Sequence, residues 1–407
     1  MRIIMVGGFF PPEIYRDIVD KSEGCVQYAA DAFQKALING LAANKADFTL
    51  LNSPFVGSYP KRYKVPCVGS FSFSYETLYG TVNAKNVGFC NLSVIKLASR
   101  YRTMKRELIR QVKSSGDKEN TLLIYSVHSP FLKACVEVKK RFPSTRIVLI
   151  VPDLPEYMSS NNSLLRRIAS SVNESLLERL YNYVDGYVLL SKYMCDRLPV
   201  GKKPWTVVEG IYDPSNEREL PKRKTGIRYI LYTGTLAARY GIQTLVKAFA
   251  GISDPSVRLY ICGEGDSRPM IEEYACKDSR IIYKGQVTRE EALMLQKDAM
   301  LLVNPRTSEG DFTKYSFPSK NMEYLASGVP ALLYKLPGIP DEYYEYCFSL
   351  SETGVEALRN MLEDILARSL DELDQLGANA RKFILNNKNP QKQVGKIIDL
   401  VSVIRES

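Results

Sequence analysis

The most informative segment of the sequence reads Phe317-Pro318-Ser319-Lys320-Asn321-Met322-Glu323-Tyr324-Leu325-Ala326-Ser327-Gly328-Val329-Pro330. Proline suits the first turn of a helix, and glycine commonly follows the last turn. The segment therefore predicts a short helix between Pro318 and Gly328, beginning beside the end of one strand and leading into another. Strands that alternate with helices in this way are typical of a parallel α/β sheet.

Helical spacing places Ser319, Lys320 and Glu323 on one face of this helix. A lysine there can pair with phosphate oxygens, and a carboxylate one turn later can accept hydrogen bonds from both hydroxyls of a ribose. The alternative is a solvated ion pair between Lys320 and Glu323, which is the usual state of such pairs. Because the proline and the glycine confine the helix tightly, we favour the ligand-binding interpretation.

Short apolar runs alternate with longer amphipathic stretches along most of the chain, the pattern of β-α-β units. The first series of predicted strands covers 2–6, 47–51, 121–127, 146–151 and 186–191. The second series covers 228–233, 257–261, 281–284, 299–304 and 330–334. Two series predict two Rossmann-like, doubly wound domains with parallel sheets rather than one barrel.

The chain has 407 residues, more than one hydrophobic core usually supports. Turn residues and lysines between positions 198 and 204 interrupt the strand pattern, so we place the domain boundary there. The predicted N-terminal domain covers residues 1–199, and the C-terminal domain covers residues 200–387. We expect the last helix, about residues 388–407, to pack back on the N-terminal domain.

The net charge of +10 indicates an anionic partner, which could be nucleic acid, a phospholipid surface or a phosphorylated ligand. No nucleic-acid recognition motif is present, so we expect no nucleic-acid partner. The eight cysteines are scattered singly and there is one histidine, which argues against a metal site or a disulfide framework. Because no long apolar run suggests a signal peptide or a membrane span, we expect a cytoplasmic protein.

Several loops of the C-terminal half have the composition of a phosphate site. Gly234 and Thr235 follow a strand, and Arg239 lies just before the next helix, whose N-terminus favours negative charge. An ordinary β-α turn explains this loop equally well. Gly263 and the pair formed by Gly285 and Val287 follow the next two strands. Main-chain groups of that pair could bind a base edge, although a structural turn is the alternative.

Together these motifs resemble glycosyltransferase family 4. The resemblance rests on Thr233-Gly234-Thr235-Leu236 with Tyr240-Gly241-Ile242, on Gly263-Glu264-Gly265, on Gly285-Gln286-Val287 and on the segment from Phe317 to Pro330. It covers the second half of the chain and implies a GT-B fold, in which two Rossmann-like domains face each other across a cleft. It also implies a retaining transfer, without metal or cofactor, from a nucleotide diphosphate-sugar held mainly by the C-terminal domain.

Three positions depart from the family pattern. The family usually has an arginine and a lysine where this chain has Thr235 and Tyr240, so we expect Arg239 and Lys320 to supply the charge. The family also has two glutamates eight residues apart. Glu323 matches the one that binds ribose, whereas Tyr315 stands at the position of the other. The sugar-contacting role therefore passes to Tyr315, Ser316 or Glu309.

The first half supplies the remaining candidates. His128 follows a predicted strand, where it would point toward a ligand, although a structural histidine is the alternative. In the family, a histidine at this position contacts the transferred sugar. Gly8 and Gly24 lie in loops that can approach the sugar phosphate closely. Asp153 follows another strand and could bind an acceptor hydroxyl or merely stabilise a turn.

A predicted helix at residues 92–113 combines an apolar stripe with basic residues. The apolar stripe contains Leu97, Tyr101, Met104, Leu108 and Val112, and the basic residues are Arg102, Lys105, Arg106, Arg110 and Lys113. Such a helix can lie on anionic lipid, which suits a lipid-linked acceptor, although a solvated outer face is the commoner explanation. Peripheral contact with the inner face of the cell membrane is therefore one expectation.

The predicted function is transfer of a sugar, with retention of configuration, to a glycan or polyprenyl-linked acceptor, in the synthesis of a bacterial surface polysaccharide. His128, Tyr315 and Ser316 are the catalytic candidates. The unusual residues at the charged positions also allow a non-catalytic protein that binds nucleotide-sugars. A sugar-nucleotide epimerase with the same fold is a further alternative.

Overall fold

The computed structural model describes residues 2–24, 26–116, 119–154, 164–216 and 227–406. The chain divides into two compact units. The first contains Met1–Ile211 and Pro390–Ser407, and the second contains Tyr212–Asn389.

The first unit combines strands and helices, with five consecutive strands between α2 and α3. Its strands are β1 (Arg2–Gly7), β2 (Phe48–Asn52), β3 (Cys67–Val68), β4 (Phe71–Thr77), β5 (Gly80–Asn86), β6 (Phe89–Cys90), β7 (Asn120–Tyr125), β8 (Arg146–Val151), β9 (Gly186–Leu189) and β10 (Trp205–Val207). Its helices before residue 211 are α1 (Tyr15–Asp20), α2 (Tyr28–Ala43), α3 (Lys96–Ser114), α4 (Ser129–Arg141) and α5 (Leu164–Tyr181). Because β10 pairs with β9 in the first sheet, residues 200–211 lie in the first unit, not in the second as the predicted boundary implied.

The large sheet of the first unit has the strand order β10-β9-β8-β7-β1-β2-β5-β4. All neighbours are parallel except β4, which pairs antiparallel to β5 at the edge. The expectation of a purely parallel sheet is therefore corrected here. The five predicted strands run as continuous buried segments, whereas β4 and β5 alternate buried and exposed residues, as strands with one solvated face do. Continuous apolar runs, on which the prediction relied, are missing from that hairpin.

The described residues of the second unit form six parallel strands and six α-helices. The strands are β11 (Arg228–Thr233), β12 (Val257–Cys262), β13 (Ile281–Gly285), β14 (Leu301–Asn304), β15 (Ala331–Tyr334) and β16 (Phe348–Leu350). The helices are α6 (Ile242–Ala250), α7 (Arg268–Lys277), α8 (Arg289–Asp298), α9 (Ser319–Ala326), α10 (Val355–Leu366) and α11 (Leu370–Asn387). The strand order β13-β12-β11-β14-β15-β16 is that of a Rossmann domain.

The direction of winding reverses at one place in each sheet, between β11 and β14 in the second unit and between β1 and β7 in the first. Helices leave opposite faces of the sheet at such a point, so a crevice opens beyond the carboxyl ends of the two central strands. The prediction of two doubly wound domains is confirmed. The residues that follow these four strands are therefore the ones that can contact a ligand in the two crevices.

The last helix, α12 (Pro390–Glu406), completes the core of the first unit. It packs against α2 and contributes the fully buried side chains of Val394, Ile397 and Val401. The two helices approach closely because residue 40 of α2 is glycine. A Cβ atom at Gly40 would overlap the carbonyl oxygen of Pro390 and the side chain of Val394.

Replacement of Gly40 by Ala should destabilise the first unit by about 1–3 kcal/mol, because backbone atoms cannot move aside for the added methyl group. The matched control is Gly395→Ala in α12, where the nearest atom would lie 3.8 Å away. The control should stabilise by about 0.5–1 kcal/mol, since alanine loses less backbone entropy in a helix. Urea unfolding followed by the fluorescence of Trp205, the only tryptophan, reports on this unit. Equal effects of the two substitutions would contradict the packing described.

Candidate functional site

Loops after three strands of the second unit are joined by backbone hydrogen bonds. Gly234 donates to the carbonyl oxygen of Cys262 over 3.0 Å, and Gly263 donates to that of Gly285 over 2.8 Å. Gly263 has a φ of +138°, and a Cβ atom there would overlap the carbonyl oxygen of Gly234. Only glycine permits this approach. The structure thus brings together three of the predicted donor-site residues.

A second close approach joins the two sides of the switch point. Gly241 has a φ of +78° and precedes α6, and a Cβ atom there would overlap the carbonyl oxygen of Pro305. Pro305 directly follows β14, whereas Gly241 ends the loop after β11. The N-terminus of α6 and the residue after Pro305 therefore meet at the crevice between β11 and β14.

Two arginines lie against one tyrosine ring at this place. The guanidinium carbons of Arg239 and Arg306 are 5.0 and 5.3 Å from the ring centroid of Tyr240. In the part of the chain that the structure describes, neither arginine forms an ion pair with a carboxylate. Nε of Arg306 is buried without a hydrogen-bond partner. Burial lowers the pKa of Arg306, and the nearby charge of Arg239 lowers it further.

Arg306 was not among the candidates chosen from the sequence. The only signal was its position, two residues after a strand that borders the switch point. The predicted Arg239 lies as expected in the loop before α6, although its side chain is exposed. Arg306 shares the same tyrosine ring, so the positive charge at this crevice comes from two arginines.

Lys320 and Glu323 meet on one face of α9, as the spacing predicts. Oε1 of Glu323 accepts hydrogen bonds from Nζ of Lys320 at 2.9 Å and from Nε2 of Gln296 at 2.7 Å. Burial acts to raise the pKa of Glu323, but the charge of Lys320 and these two hydrogen bonds outweigh it and lower the pKa. Glu323 is therefore ionised at neutral pH. Oε2 makes no hydrogen bond with any described residue and is available to a ligand.

Buried hydrogen bonds hold α9 in place. The fully buried Tyr324 accepts a hydrogen bond on its hydroxyl oxygen from the backbone N–H of Thr233 at 2.8 Å. Asn304, the last residue of β14, donates to Oδ1 of Asn321 at 2.5 Å. Both bonds tie the helix to the two central strands. The position of Glu323 is consequently fixed relative to the crevice.

Other predicted donor-site residues of this unit differ in which of their groups are accessible to a ligand. Thr235 and Ser319 are exposed, whereas Val287 packs its side chain against the core and leaves only its main chain for a ligand. The Ser316 hydroxyl is engaged, since it accepts from Nη2 of Arg306 at 3.0 Å and donates to the Phe312 carbonyl oxygen.

Tyr315 is enclosed, with 7% of its surface exposed. Glu309, the remaining candidate for the sugar-contacting role, is exposed.

In the first unit, His128 lies at the switch point between β1 and β7. It precedes α4, and its ring contacts Phe131 and Phe55 at centroid distances of 4.4 and 5.4 Å. A Cβ atom at Gly8 would lie 2.6 Å from the Phe55 ring, so Phe55 packs directly on Gly8. The structure therefore places two predicted residues, Gly8 and His128, against the same aromatic ring. Nδ1 of His128 is buried without a hydrogen-bond partner.

Two cations that the sequence analysis missed lie near His128. Arg100 is 1% exposed, and its guanidinium carbon is 4.0 Å from the Phe89 ring centroid. Nζ of Lys96 donates to the Val56 carbonyl oxygen at 2.6 Å. Burial lowers the pKa of Arg100 to about 9, and burial together with the charge of Arg100 lowers the pKa of Lys96 to about 8. The available signal was spacing, because Arg100 precedes the buried Met104 by one turn.

His128 is uncharged at neutral pH. Burial lowers its pKa well below the usual value of 6.5, and the charges of Arg100 and Lys96 lower it further. A neutral imidazole carries one N–H donor and one acceptor nitrogen. It can therefore bind a hydroxyl group without adding charge.

Two further candidates of the first unit are exposed residues, although burial raises the pKa of one of them, Asp153. Gly24 belongs to an exposed loop, with no atom within 4 Å of the position a Cβ atom would take. Asp153 is exposed two residues after β8. Burial raises the pKa of Tyr125, and the negative charge of Asp153 raises it further, which places this carboxylate near the end of β7.

The helix predicted at residues 92–113 begins later, at Lys96, and its apolar stripe faces inward. Met104, Leu108 and Val112 are buried, and α3 packs against α4. This part of the stripe is therefore not available to lipid, as the alternative of an ordinary domain helix with a solvated outer face requires. Exposed apolar side chains occur instead at the start of the helix and just before it, at Leu92, Val94, Ile95 and Leu97.

Solved structures with similar folds cover nearly the whole chain. Sucrose-phosphate synthase from Thermosynechococcus elongatus has a TM-score of 0.62 at 14% identity, with 99% of both chains covered. The trehalose-6-phosphate structure from E. coli, bound with UDP-2-fluoro glucose, has a TM-score of 0.61 at 13% identity, covering 100% of this chain and 99% of that chain. HepE of Anabaena, in complex with UDP, has a TM-score of 0.60 at 11% identity, covering 99% of this chain and 100% of that chain. No curated protein sequence matches the chain.

Residues 215–383 match the family described as glycosyl transferases group 1. This range contains Arg239, Arg306, Lys320 and Glu323. The protein is a transferase enzyme. The transferase has the GT-B fold, as the sequence predicted.

The stability of the transferase should depend on His128 between pH 6.5 and 5.5. The folded state resists protonation of His128, so the unfolded state binds more protons as the pH falls below 6.5. The free energy of unfolding of the first unit should therefore drop by about 1 kcal/mol over this range. His128→Gln should remove that part of the drop. Urea unfolding at both pH values, followed by Trp205 fluorescence, measures it, and an identical drop in both proteins would refute the assignment.

Proposed function

We propose that the chain is a retaining glycosyltransferase that moves a sugar from a nucleotide diphosphate-sugar to a glycan or lipid-linked acceptor. The observation that carries the proposal is the pair of arginines at the switch point, Arg239 and Arg306, which lack carboxylate partners among the described residues. Two unpaired cations beside a helix N-terminus suit a diphosphate. Synthesis of a surface polysaccharide is the role expected from the family resemblance.

The proposed donor site assigns a separate task to each group. Arg239 and Arg306 bind the diphosphate, with the N-terminus of α6 beside them. Oε2 of Glu323 accepts the ribose hydroxyls, because Lys320 and Gln296 already occupy Oε1. Main-chain groups of Gly285 and Val287 contact the base. His128, as a neutral imidazole, binds a hydroxyl of the transferred sugar.

The proposed chemistry needs charge stabilisation more than a nucleophile. The bond between the anomeric carbon and the diphosphate breaks, and the acceptor oxygen attacks the same face of the sugar. The acceptor's proton passes to the departing phosphate oxygen. Arginines that are already in place stabilise the growing negative charge without a metal ion.

Ser316 and Tyr315 have different roles in the proposed site. Because the Ser316 hydroxyl accepts a hydrogen bond from Arg306, we assign it the role of positioning that arginine. The enclosed Tyr315 packs within the unit at the position of the family's first glutamate.

Glu323→Ala should strongly reduce the thermal stabilisation by the true donor nucleotide. Hydrogen bonds to a charged group contribute about 1.5–3 kcal/mol, so the Kd should rise about 10- to 100-fold. The test compares melting temperatures with UDP, GDP and ADP, since a ligand that binds the native state raises the melting temperature. Glu352→Ala, which removes an exposed carboxylate from a loop, is the control.

An unchanged shift in Glu323→Ala would remove the ribose assignment. With the matching nucleotide-sugar, the transferase should release sugar slowly into water, and NMR should show the anomeric configuration of the donor. Inverted product would refute retention. Conversion of the donor into an isomeric nucleotide-sugar without acceptor would favour the epimerase alternative.

Peripheral membrane contact is a further part of the proposal, because it suits a lipid-linked acceptor. We define the apolar patch as Leu92, Val94, Ile95 and Leu97, all exposed. Backbone pairing between Tyr59 and Leu92 places the exposed Lys61 and Arg62 close by in the fold. Apolar side chains beside cations suit an anionic lipid surface. None of the helices in the described ranges is long and apolar enough to cross a membrane.

The double substitution Val94→Asp and Leu97→Asp should reduce binding to phosphatidylglycerol vesicles by about tenfold or more, because each apolar side chain contributes about 1.5–3 kcal/mol when buried. Co-sedimentation measures the bound fraction. Leu370→Asp in the second unit, where Leu370 is 57% exposed, is the control. Equal binding by the double variant and the control would show that the apolar patch does not contact lipid.

A further inference from the structure

Two cations of the first unit that the proposed donor site does not use, Lys96 and Arg100, form a cluster with the neutral His128. Lys96 and Arg100 lie one turn apart on α3. Both Arg100 and His128 lie against the rings of Phe55 and Phe131, with the Arg100 guanidinium carbon 5.8 and 5.9 Å from the two ring centroids. The charges of both cations act on the His128 ring. The three side chains therefore surround one small region.

No described carboxylate neutralises this cluster. Neither Lys96 nor Arg100 forms an ion pair, and Nε of Arg100 is buried without a hydrogen-bond partner. Burying a charge is costly unless it is paired and hydrogen-bonded, and two like charges one helical turn apart repel each other. A bound anion would remove both penalties.

Anchoring of the neighbouring loop does not by itself explain these residues. Arg100 donates a hydrogen bond to the Pro54 carbonyl oxygen. Lys96 donates one to the Val56 carbonyl oxygen and a longer one to the Ser58 hydroxyl. A neutral amide side chain could donate the same hydrogen bonds without the cost of a buried charge. The positive charge itself therefore requires an explanation.

The burial of the three groups indicates how an anion would approach. Lys96 and His128 are half-buried residues, whereas Arg100 is 1% exposed. An anion would contact Lys96 and His128, and Arg100 would hold it through its charge. A phosphate group, with several acceptor oxygens, suits this set of donors.

We propose that Lys96, Arg100 and His128 form a subsite for a phosphate or diphosphate group of the acceptor. That the phosphate belongs to the acceptor depends on the proposed function, whereas the existence of an anion site does not. A phosphorylated sugar and a lipid phosphate share this chemistry. Lys96 lies between Ile95 and Leu97 of the apolar patch, so a lipid phosphate could place its chain on that patch.

The single histidine of the chain makes a site-specific test possible. In protein labelled at the imidazole carbons, His128 gives one set of ring signals. Addition of inorganic pyrophosphate should shift these signals saturably and raise the pKa of the ring, because a nearby anion favours the charged imidazole. Absence of any shift would overturn the proposal.

Lys96→Gln should raise the Kd for pyrophosphate at least tenfold in this titration. It is preferred to a substitution of Arg100, which would remove buried contacts from the core. Lys113→Gln, the same change at an exposed position of α3, should leave the Kd unchanged. Equal Kd values for Lys96→Gln and Lys113→Gln would refute the subsite.

Arg239→Gln separates this proposal from the donor site, because Arg239 is a proposed ligand of the donor diphosphate. If pyrophosphate shifts the His128 signals equally in this variant, the subsite is supported even if the donor assignment fails. Loss of the shift in Arg239→Gln but not in Lys96→Gln would show that the anion binds in the second unit, and would overturn the proposal.

The source of the phosphate is tested with esters and their alcohols. Glucose 6-phosphate represents a soluble acceptor, with glucose as its control. Farnesyl phosphate in neutral detergent micelles represents a lipid acceptor, with farnesol as its control. A shift with one ester and not with its alcohol supports the subsite and identifies the source. If neither ester shifts the ring signals, the assignment to an acceptor phosphate is wrong.

Discussion

The close contact between backbone segments at the switch point of the second unit is the constraint on which the site depends. Gly263 lies against the carbonyl oxygen of Gly234, and Gly241 lies against that of Pro305, with no room for a Cβ atom in either place. These contacts hold the loops after β11, β12 and β14 together. Arg239 and Arg306 reach the same tyrosine ring only because the two loops touch. The close approach at Gly241 thus brings the two charges together.

Both units also contain positive charge that no carboxylate among the described residues compensates. Arg306 in one unit and Arg100 in the other have a buried Nε without a partner. Such groups lower the stability of the folded chain, since a charge removed from water must be balanced by hydrogen bonds or by an opposite charge. Two apolar or amide residues would pack in these places at less cost. Their presence is understandable if anionic groups of substrates complete both sites.

The sequence predicted much of this arrangement, for reasons that can be stated residue by residue. Ten strands were predicted because buried parallel strands are continuous apolar runs. The face of α9 with Lys320 and Glu323 followed from helical spacing alone. The hairpin of β4 and β5 was not predicted because its residues alternate between buried and exposed. For α3, the sequence left lipid contact and an ordinary solvated outer face both open, and the structure shows that most of the apolar stripe packs inward. Apolar residues at helical spacing show that a helix has an apolar face, but they do not show what covers that face.

The sequence by itself determined the class of fold, the helix α9 and the glycines at the strand ends, because these depend on local periodicity and on backbone conformation. Only the tertiary structure decided which charged residues share a site. Arg306 joins Arg239, and Arg100 and Lys96 join His128, through contacts between segments far apart in the chain. Electrostatic interactions act through space over a few ångströms, and no spacing rule along a single chain specifies which distant residues will meet.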